Sequence, residues 1–357
     1  MWAVRQQLQE RKVGPFSVFV VCDDWLVVAD SHSCCYLVWR LIIDLLWGFG
    51  FAVNDEPHKC IAPTHVLTWL GLEIDSYAMT VRLPNEKVEK ALGRVASVAS
   101  ATTVTRCDLD SLFVYLSYCC AVVYGGRAFL HGLRRLRFRG ELPERGVRAA
   151  KHHVHVNSGL RADLLWWQEH LVLFNGDRRV PIVSLNIAHR EEGIFIDARG
   201  GTGGVGVFVN GGFVGLTGEE CNELYPLGSK LVSPGSWLSP STEANHWELF
   251  AFCVLLDLFP LVLENKFVVV DSDSMSAIKC VRDLSAFLDS LPLASLTRTF
   301  LSLTGKLNVR VLPRHLPGVL NVLADPLSRG MWPQFGASAN AWCIAQGQPS
   351  SLYLYGL

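Results

Sequence analysis

Residues 193–209 read G-I-F-I-D-A-R-G-G-T-G-G-V-G-V-F-V. The apolar run Ile194–Phe195–Ile196 delivers one carboxylate, Asp197, at its end, and a glycine cluster leads into a second apolar run at 205–209. Short β-branched runs around glycines predict two antiparallel strands joined by a hairpin. A strand apolar enough to be buried thus ends on a group that is costly to bury as an ion. Alone, such an acid is a turn residue or a helix cap. Three more acids recur downstream in comparable settings.

Glu248 stands in N-H-W-E-L-F-A-F-C-V-L-L-D-L-F, where Leu249, Phe252, Leu255, Leu256 and Phe259 recur at helical spacing. The pattern predicts a core-packed helix with Glu248 in its first turn, where an acid also complements the helix dipole. Asp273 closes F-V-V-V-D-S-D-S-M-S-A-I, a buried strand running into a helix. Asp271 lies two residues earlier, and strand alternation puts it on the same face as an alternative ligand. Asp325 lies in R-H-L-P-G-V-L-N-V-L-A-D-P-L-S-R, a short helix that Pro326 breaks or kinks.

This order of residues resembles the type 1 ribonuclease H domain: an acid on the first strand, Glu on the first helix, D-S-x-x-A after a middle strand, then His-x5-Asn-x3-Asp. His315, Asn321 and Asp325 stand at the spacing used by retroelement members of that family. The ending H-L-P-G-V-L-N-V-L-A-D-P-L-S-R, with W-W…F-N-G upstream, is most similar to tyrosine-recombinase retrotransposons of the DIRS type. The family's pattern has a serine where Arg199 stands. The resemblance implies catalytic residues Asp197, Glu248, Asp273, His315 and Asp325, with metal held by the four acids. It also implies hydrolysis of the RNA strand of an RNA–DNA hybrid.

Carboxylates about 4 Å apart repel by ~4 kcal/mol per pair at an effective dielectric of 20. Several cannot stay ionised together without a counter-cation or protons. Oxygen-only donors favour Mg²⁺ or Mn²⁺ over zinc. Two ions ~3.5–4 Å apart suit in-line attack of water on a phosphodiester. An imidazole, with an ordinary pKa of ~6.5, suits His315 to proton transfer; otherwise it is a surface loop histidine.

Half of the 357 residues are hydrophobic and 18% are charged, ample for sizeable cores, while a net charge of −1 decides nothing about nucleic acid. The 11 cysteines form no C-x-x-C pair, so neither zinc spacing nor a disulfide framework emerges, and reduced, intracellular thiols (cytoplasm or nucleus) are expected. Two stretches, 36–53 and 247–263, are long and apolar. The first carries Arg40 and Asp44, costing together ~5–7 kcal/mol on insertion, against ~3–6 kcal/mol returned by its Leu, Ile, Val and Phe residues. The second holds Glu248, Asp257 and Pro260. Both read as buried helices, with no membrane partner.

The N-terminal third carries F-V-V-C-D-D-W-L-V-V-A-D: two strands around Asp23–Asp24. Ser31 or Ser33 caps a helix running to Gly48, and G-F-G-F-A-V-N then reads as a strand. Lys59, the turn at Leu70–Gly71 and a polar helix from Asn85 follow. The series resembles the palm of a reverse transcriptase from its Y-x-D-D motif onward, with Val21 in the tyrosine's place. The resemblance makes Asp23 a metal ligand, Asp24 its neighbour, Lys59 the motif-D lysine and Leu70–Gly71 the primer-grip turn. No Asp precedes Val21, whereas the palm needs a second metal-binding Asp upstream. The polymerase is therefore expected to be truncated and inactive.

Thr105 to Val123 predicts an amphipathic helix, and residues 162–175, with Trp166–Trp167, another. Between them lies a basic stretch, Arg127, Arg134, Arg135, Arg137, Arg139, Arg145, Arg148 and Lys151, interleaved with Phe129, Leu133, Leu136 and Phe138. It is either a solvated helix face or a surface that tracks phosphates. The expected fold class is α/β: an α+β palm remnant over 1–83, a helical thumb or connection over 84–176 and a linker over 177–192. An RNase H-like five-stranded mixed sheet with flanking helices then spans 193–329, followed by a motif-free tail, 330–357. Expected partners are an RNA–DNA hybrid and a template–primer, with polyprotein neighbours outside this chain. The rival expectation is a non-catalytic nucleic-acid-binding relic.

Overall fold

The structure, a computed structural model, describes residues 14–54, 56, 59–138, 152–176, 191–225, 240–285 and 291–346. At the N-terminus β1 (Phe16–Val21) and β2 (Asp24–Ala29) pair antiparallel around a turn at Cys22 and Asp23. Ser31 caps α1 (His32–Gly48) by accepting from the Cys34 amide, as its position predicts. One face of the hairpin packs Val18, Trp25 and Val27 on Val38, Leu41 and Ile42 of α1.

The strand expected after Gly48 is absent. Gly50 takes φ 81°, the left-handed conformation that ends helices, and residues 51–54 pair with no strand. Phe49 and Phe51 are exposed, so alternation there had no sheet to serve.

A three-stranded meander follows, β3 (Val66–Trp69), β4 (Leu72–Asp75) and β5 (Thr80–Arg82). Its first turn is Leu70–Gly71, both at positive φ, matching a two-residue hairpin of type I′. Helix α2 (Asn85–Ser100) starts where expected and buries Val88, Ala91, Val95 and Val98 on one stripe. After β6 (Thr103–Thr105), α3 (Arg106–Cys119) is capped by Thr105 and ends short of Val123, in a tight turn at 120–123. A 3₁₀ turn (Gly126–Phe129) leads to α4 (His131–Phe138). Then β7 (His153–His155) pairs with β6, and α5 (Ser158–Phe174) is capped by Asn157. Leu109, Leu112, Leu116, Leu133, Leu160, Leu164 and Trp167 form the core these helices share.

The C-terminal sheet has strand order β10-β9-β8-β11-β12. Here β8 (Glu191–Ala198), β9 (Gly204–Val209) and β10 (Gly212–Thr217) form the predicted antiparallel run, followed by α6 (Gly218–Leu224). Helix α7 (Pro240–Leu258) and the short α8 (Pro260–Leu263) cross to β11 (Phe267–Ser272), parallel to β8. Helices α9 (Met275–Asp283) and α10 (Leu291–Lys306) cross to β12 (Arg310–His315), parallel to β11. The class is α/β with a five-stranded mixed sheet, as the pattern of residues predicts.

Alternation along the strands feeds two cores. Ile194, Ile196, Val205, Val207, Val268 and Val270 pack with α7 and α10 through Phe252, Leu255 and Phe300. On the other side Phe208 and Phe213 meet Leu327 of α11 (Ala324–Ser328) and Phe335 of α12 (Trp332–Ala345). Residues 332–345, expected to be a featureless tail, thus cover the sheet. Phe335, Ala339 and Cys343 at four-residue spacing were the available signal. Among the described residues no helix is long and apolar enough to cross a membrane.

A buried ion pair joins α10 to the helical region. Asp163, 1% exposed, accepts from Arg298 Nη2 at 2.5 Å and from the Gly132 amide at 2.8 Å. Arg298 Nε also donates to the Ala128 carbonyl, and its guanidinium lies over the Phe129 ring. Burial pushes the Asp163 carboxyl up to about 6 despite this partner. Arg298→Ala leaves the acid buried with one amide donor, and should cost about 1–3 kcal/mol, below the value for a fully enclosed pair because Arg298 is partly solvated. Urea unfolding checks this, and adding Asp163→Asn should recover part of the loss.

Candidate metal centre

Three elements bring acids together. Asp197 is the penultimate residue of β8, Asp273 follows the end of β11, and Glu248 projects from α7. One carboxylate oxygen from each lies within 4.8 Å of the other two. Glu248 is not in a first turn, because α7 begins eight residues earlier with Pro240. The polar segment 240–246 hid two turns of helix from a reading keyed to apolar spacing. Glu248 therefore sits mid-helix, held by the buried Trp247 and Leu249 beside it.

Asp197 is 3% exposed and accepts from Ser328 Oγ at 2.5 Å. That contact depends on Gly206, which lies opposite Asp197 in the β8–β9 register. A Cβ on Gly206 would stand 2.2 Å from the Ala324 carbonyl oxygen and 2.7 Å from the Ser328 nitrogen, so only glycine lets α11 dock there. Asn321, fully buried, ties the preceding loop to β8 by donating from Nδ2 to the Ile196 carbonyl at 3.0 Å. The Ser328 contact was not foreseen, although S-R ends the motif that carries Asp325.

Asp325 stands at the edge of the site. Its Oδ1 accepts from Arg329 Nε at 2.6 Å, an i,i+4 pair, and it is outside the three-acid group. It is still close enough to raise the carboxyl pKa of Asp197, Glu248 and Asp273. Asp271, the alternative ligand, is taken up by Arg314, whose Nε and Nη2 each donate to it at 2.6 Å. Strand β11 ends at Ser272, so alternation no longer governs Asp273. His315 is exposed at the end of β12, opposite Ser272 in register, and its charged form would favour ionised Asp273.

The remaining candidates lie elsewhere. Asp23 and Asp24 are exposed at the β1–β2 hairpin tip, and Lys59 is exposed in a turn whose amide bonds to the Glu56 carbonyl. Neither acid joins a metal-capable group among the described residues. Arg127 is exposed on the 3₁₀ turn, while Arg134 and Arg135 are half-buried on α4. Arg137 lies on α4 with its side chain outside the described residues, as is all of Arg139 and of the basic stretch beyond.

No family model matches this chain. No curated protein matches it either. The site is therefore read from its own chemistry.

Burial pushes Asp197 up to about 7, opposed by the Ser328 hydroxyl and reinforced by Asp273 and Asp325. Glu248 is pushed up to about 9, by burial first and then by Asp197 and Asp273, against one amide bond from Ala198. Asp273 is raised too, chiefly by burial. Glu248 Oε2 is buried with no hydrogen-bond partner. An all-oxygen donor set with an orphaned buried oxygen and suppressed ionisation fits a divalent cation such as Mg²⁺ or Mn²⁺. The acidic triad is thus a candidate metal site.

The same shifts set a pH dependence. Between the unfolded carboxyl pKa (about 4) and the raised folded values, the folded state holds more protons than the unfolded one. In metal-free buffer stability should therefore fall as pH rises from about 4.5 through about 7 to about 9. Mg²⁺ or Mn²⁺ should flatten that decline, because the cation replaces the protons. Thermal unfolding against pH, with and without metal, measures both slopes.

Proposed function

We propose that this chain is a retroelement reverse transcriptase/RNase H protein whose C-terminal sheet cleaves the RNA strand of RNA–DNA hybrids. The observation that carries the reading is the convergence of Asp197, Glu248 and Asp273, 76 positions apart at the extremes, on one cation-sized space. Their order and surroundings are those of the ribonuclease H resemblance, with Asp325 at the rim.

Two divalent ions, when bound, would supply Lewis acidity to activate water and stabilise the leaving 3′-oxygen. Asp197, Glu248 and Asp273 would hold and neutralise that charge, and Ser328 fixes the rotamer of Asp197. Arg329 keeps Asp325 oriented at the edge. His315, exposed at the end of β12, would pass a proton between the site and solvent. Asp23, Asp24 and Lys59 belong to a palm-like region, which helps hold the hybrid through Lys59 and the basic stretch.

The test is cleavage of an end-labelled RNA–DNA hybrid in Mg²⁺ or Mn²⁺, with single-stranded RNA as control. Cutting of the hybrid alone supports the enzyme. A folded chain that binds hybrid and never cuts it leaves the non-catalytic relic.

A further inference from the structure

Arg329 stands where its charge bears on the whole acid cluster. Ser328, the residue before it, is fixed: its Oγ lies 2.5 Å from Asp197 Oδ2 and 2.9 Å from the Asp325 carbonyl oxygen. The Arg329 amide closes the last turn of α11 on that same carbonyl at 3.3 Å, and Gly330, at φ 68°, then turns the chain away. The root of Arg329 is thus held beside the site, and its side chain is the part that can move. That side chain is 46% exposed and reaches back one turn, donating from Nε to Asp325 Oδ1 at 2.6 Å. Its positive charge also opposes the rise in carboxyl pKa at Asp197 and Asp273, so the guanidinium lies in the field of the triad as well as on Asp325.

Asp325 is therefore contested. The guanidinium brings one charge, and an i,i+4 pair this open to solvent contributes little. A divalent ion brings two charges and takes carboxylate oxygens directly. The balance differs at the triad, where Glu248 Oε2 is buried without a hydrogen-bond partner. An ion gains that donor without displacing a guanidinium.

We propose that Arg329 is a built-in counter-cation that competes with a second divalent ion for Asp325. The triad of Asp197, Glu248 and Asp273 fills first. The second ion binds as the Arg329 side chain swings out to solvent and leaves Asp325 to it. This rests on the metal-centre reading and deepens it, by giving the order of filling and the residue that sets it. Cleavage by two ions then needs more metal than occupation of the triad does.

Titration of the full chain with Mn²⁺, read as the EPR signal of the free ion, counts the sites without any cleavage. Wild type should show a tight class and a weaker one. Arg329→Gln should tighten the weaker class roughly tenfold, the order for removing one unit charge near a divalent ion at a wet site, and move the tight class by less than about threefold. Arg329→Lys keeps the charge and should stay close to wild type. Asp325→Asn should lose the weaker class, and adding Arg329→Gln to it should restore nothing. A weaker class that Arg329→Gln leaves unchanged or loosens overturns the proposal while the metal centre stands. So does a single class in wild type and variant alike. If wild type holds no Mn²⁺ at all, the metal-centre reading itself falls, and the competition with it.

Discussion

Asp197→Asn is expected to reduce hybrid cleavage by at least about three decades, while the chain keeps its fold. Asp197 is the most buried of the three converging acids, and the charge it contributes to holding divalent cations is worth several kcal/mol at the transition state, at about 1.4 kcal/mol per decade. Asparagine keeps the shape and an oxygen that can accept from Ser328, so packing on α11 survives. Above pH 7 in EDTA, melting should occur at an equal or higher temperature than wild type, because repulsion with Glu248 and Asp273 is relieved. A general loss of packing would lower activity and stability together. If wild type cuts and the variant cuts equally well, the activity belongs to a contaminant or to another site.

His315→Ala should be milder, a loss of about 10²-fold and no more than about 10⁴-fold, which is the range for one proton-transfer group. The side chain is exposed at a strand end, so stability should change by no more than about 0.5 kcal/mol. Hybrid affinity in EDTA should be unchanged, since proton transfer is not a binding term. A weakened affinity with an unchanged single-turnover rate would make His315 a contact residue instead.

The strand acids were legible because their constraints are local. A buried β-branched run must end somewhere, and at Asp197 and Asp273 it ends on a carboxylate beside a turn or cap. Helix starts with oxygen side chains were legible for the same reason, at Ser31 and Thr105. The start of α7 was not, because its first two turns carry no apolar stripe. The contacts that orient the acids were hidden for a different reason. Ser328 reaches Asp197 across 131 positions and Arg314 reaches Asp271 across 43, pairings set by sheet order rather than by spacing. Gly206 shows the same limit: glycine in a strand signals a close approach without saying that α11 makes it. The Arg298–Asp163 pair falls between two regions, so neither region's pattern announces it.

The central claim is that Asp197, Glu248 and Asp273 together hold a divalent cation, and anomalous scattering from crystals soaked in Mn²⁺ tests it most directly. The account predicts a peak roughly 2.0–2.2 Å from oxygens of all three carboxylates, with Glu248 Oε2 among them, and its loss in Asp197→Asn. Fully occupied Mn²⁺ elsewhere on the protein, with none between these three side chains, would contradict it.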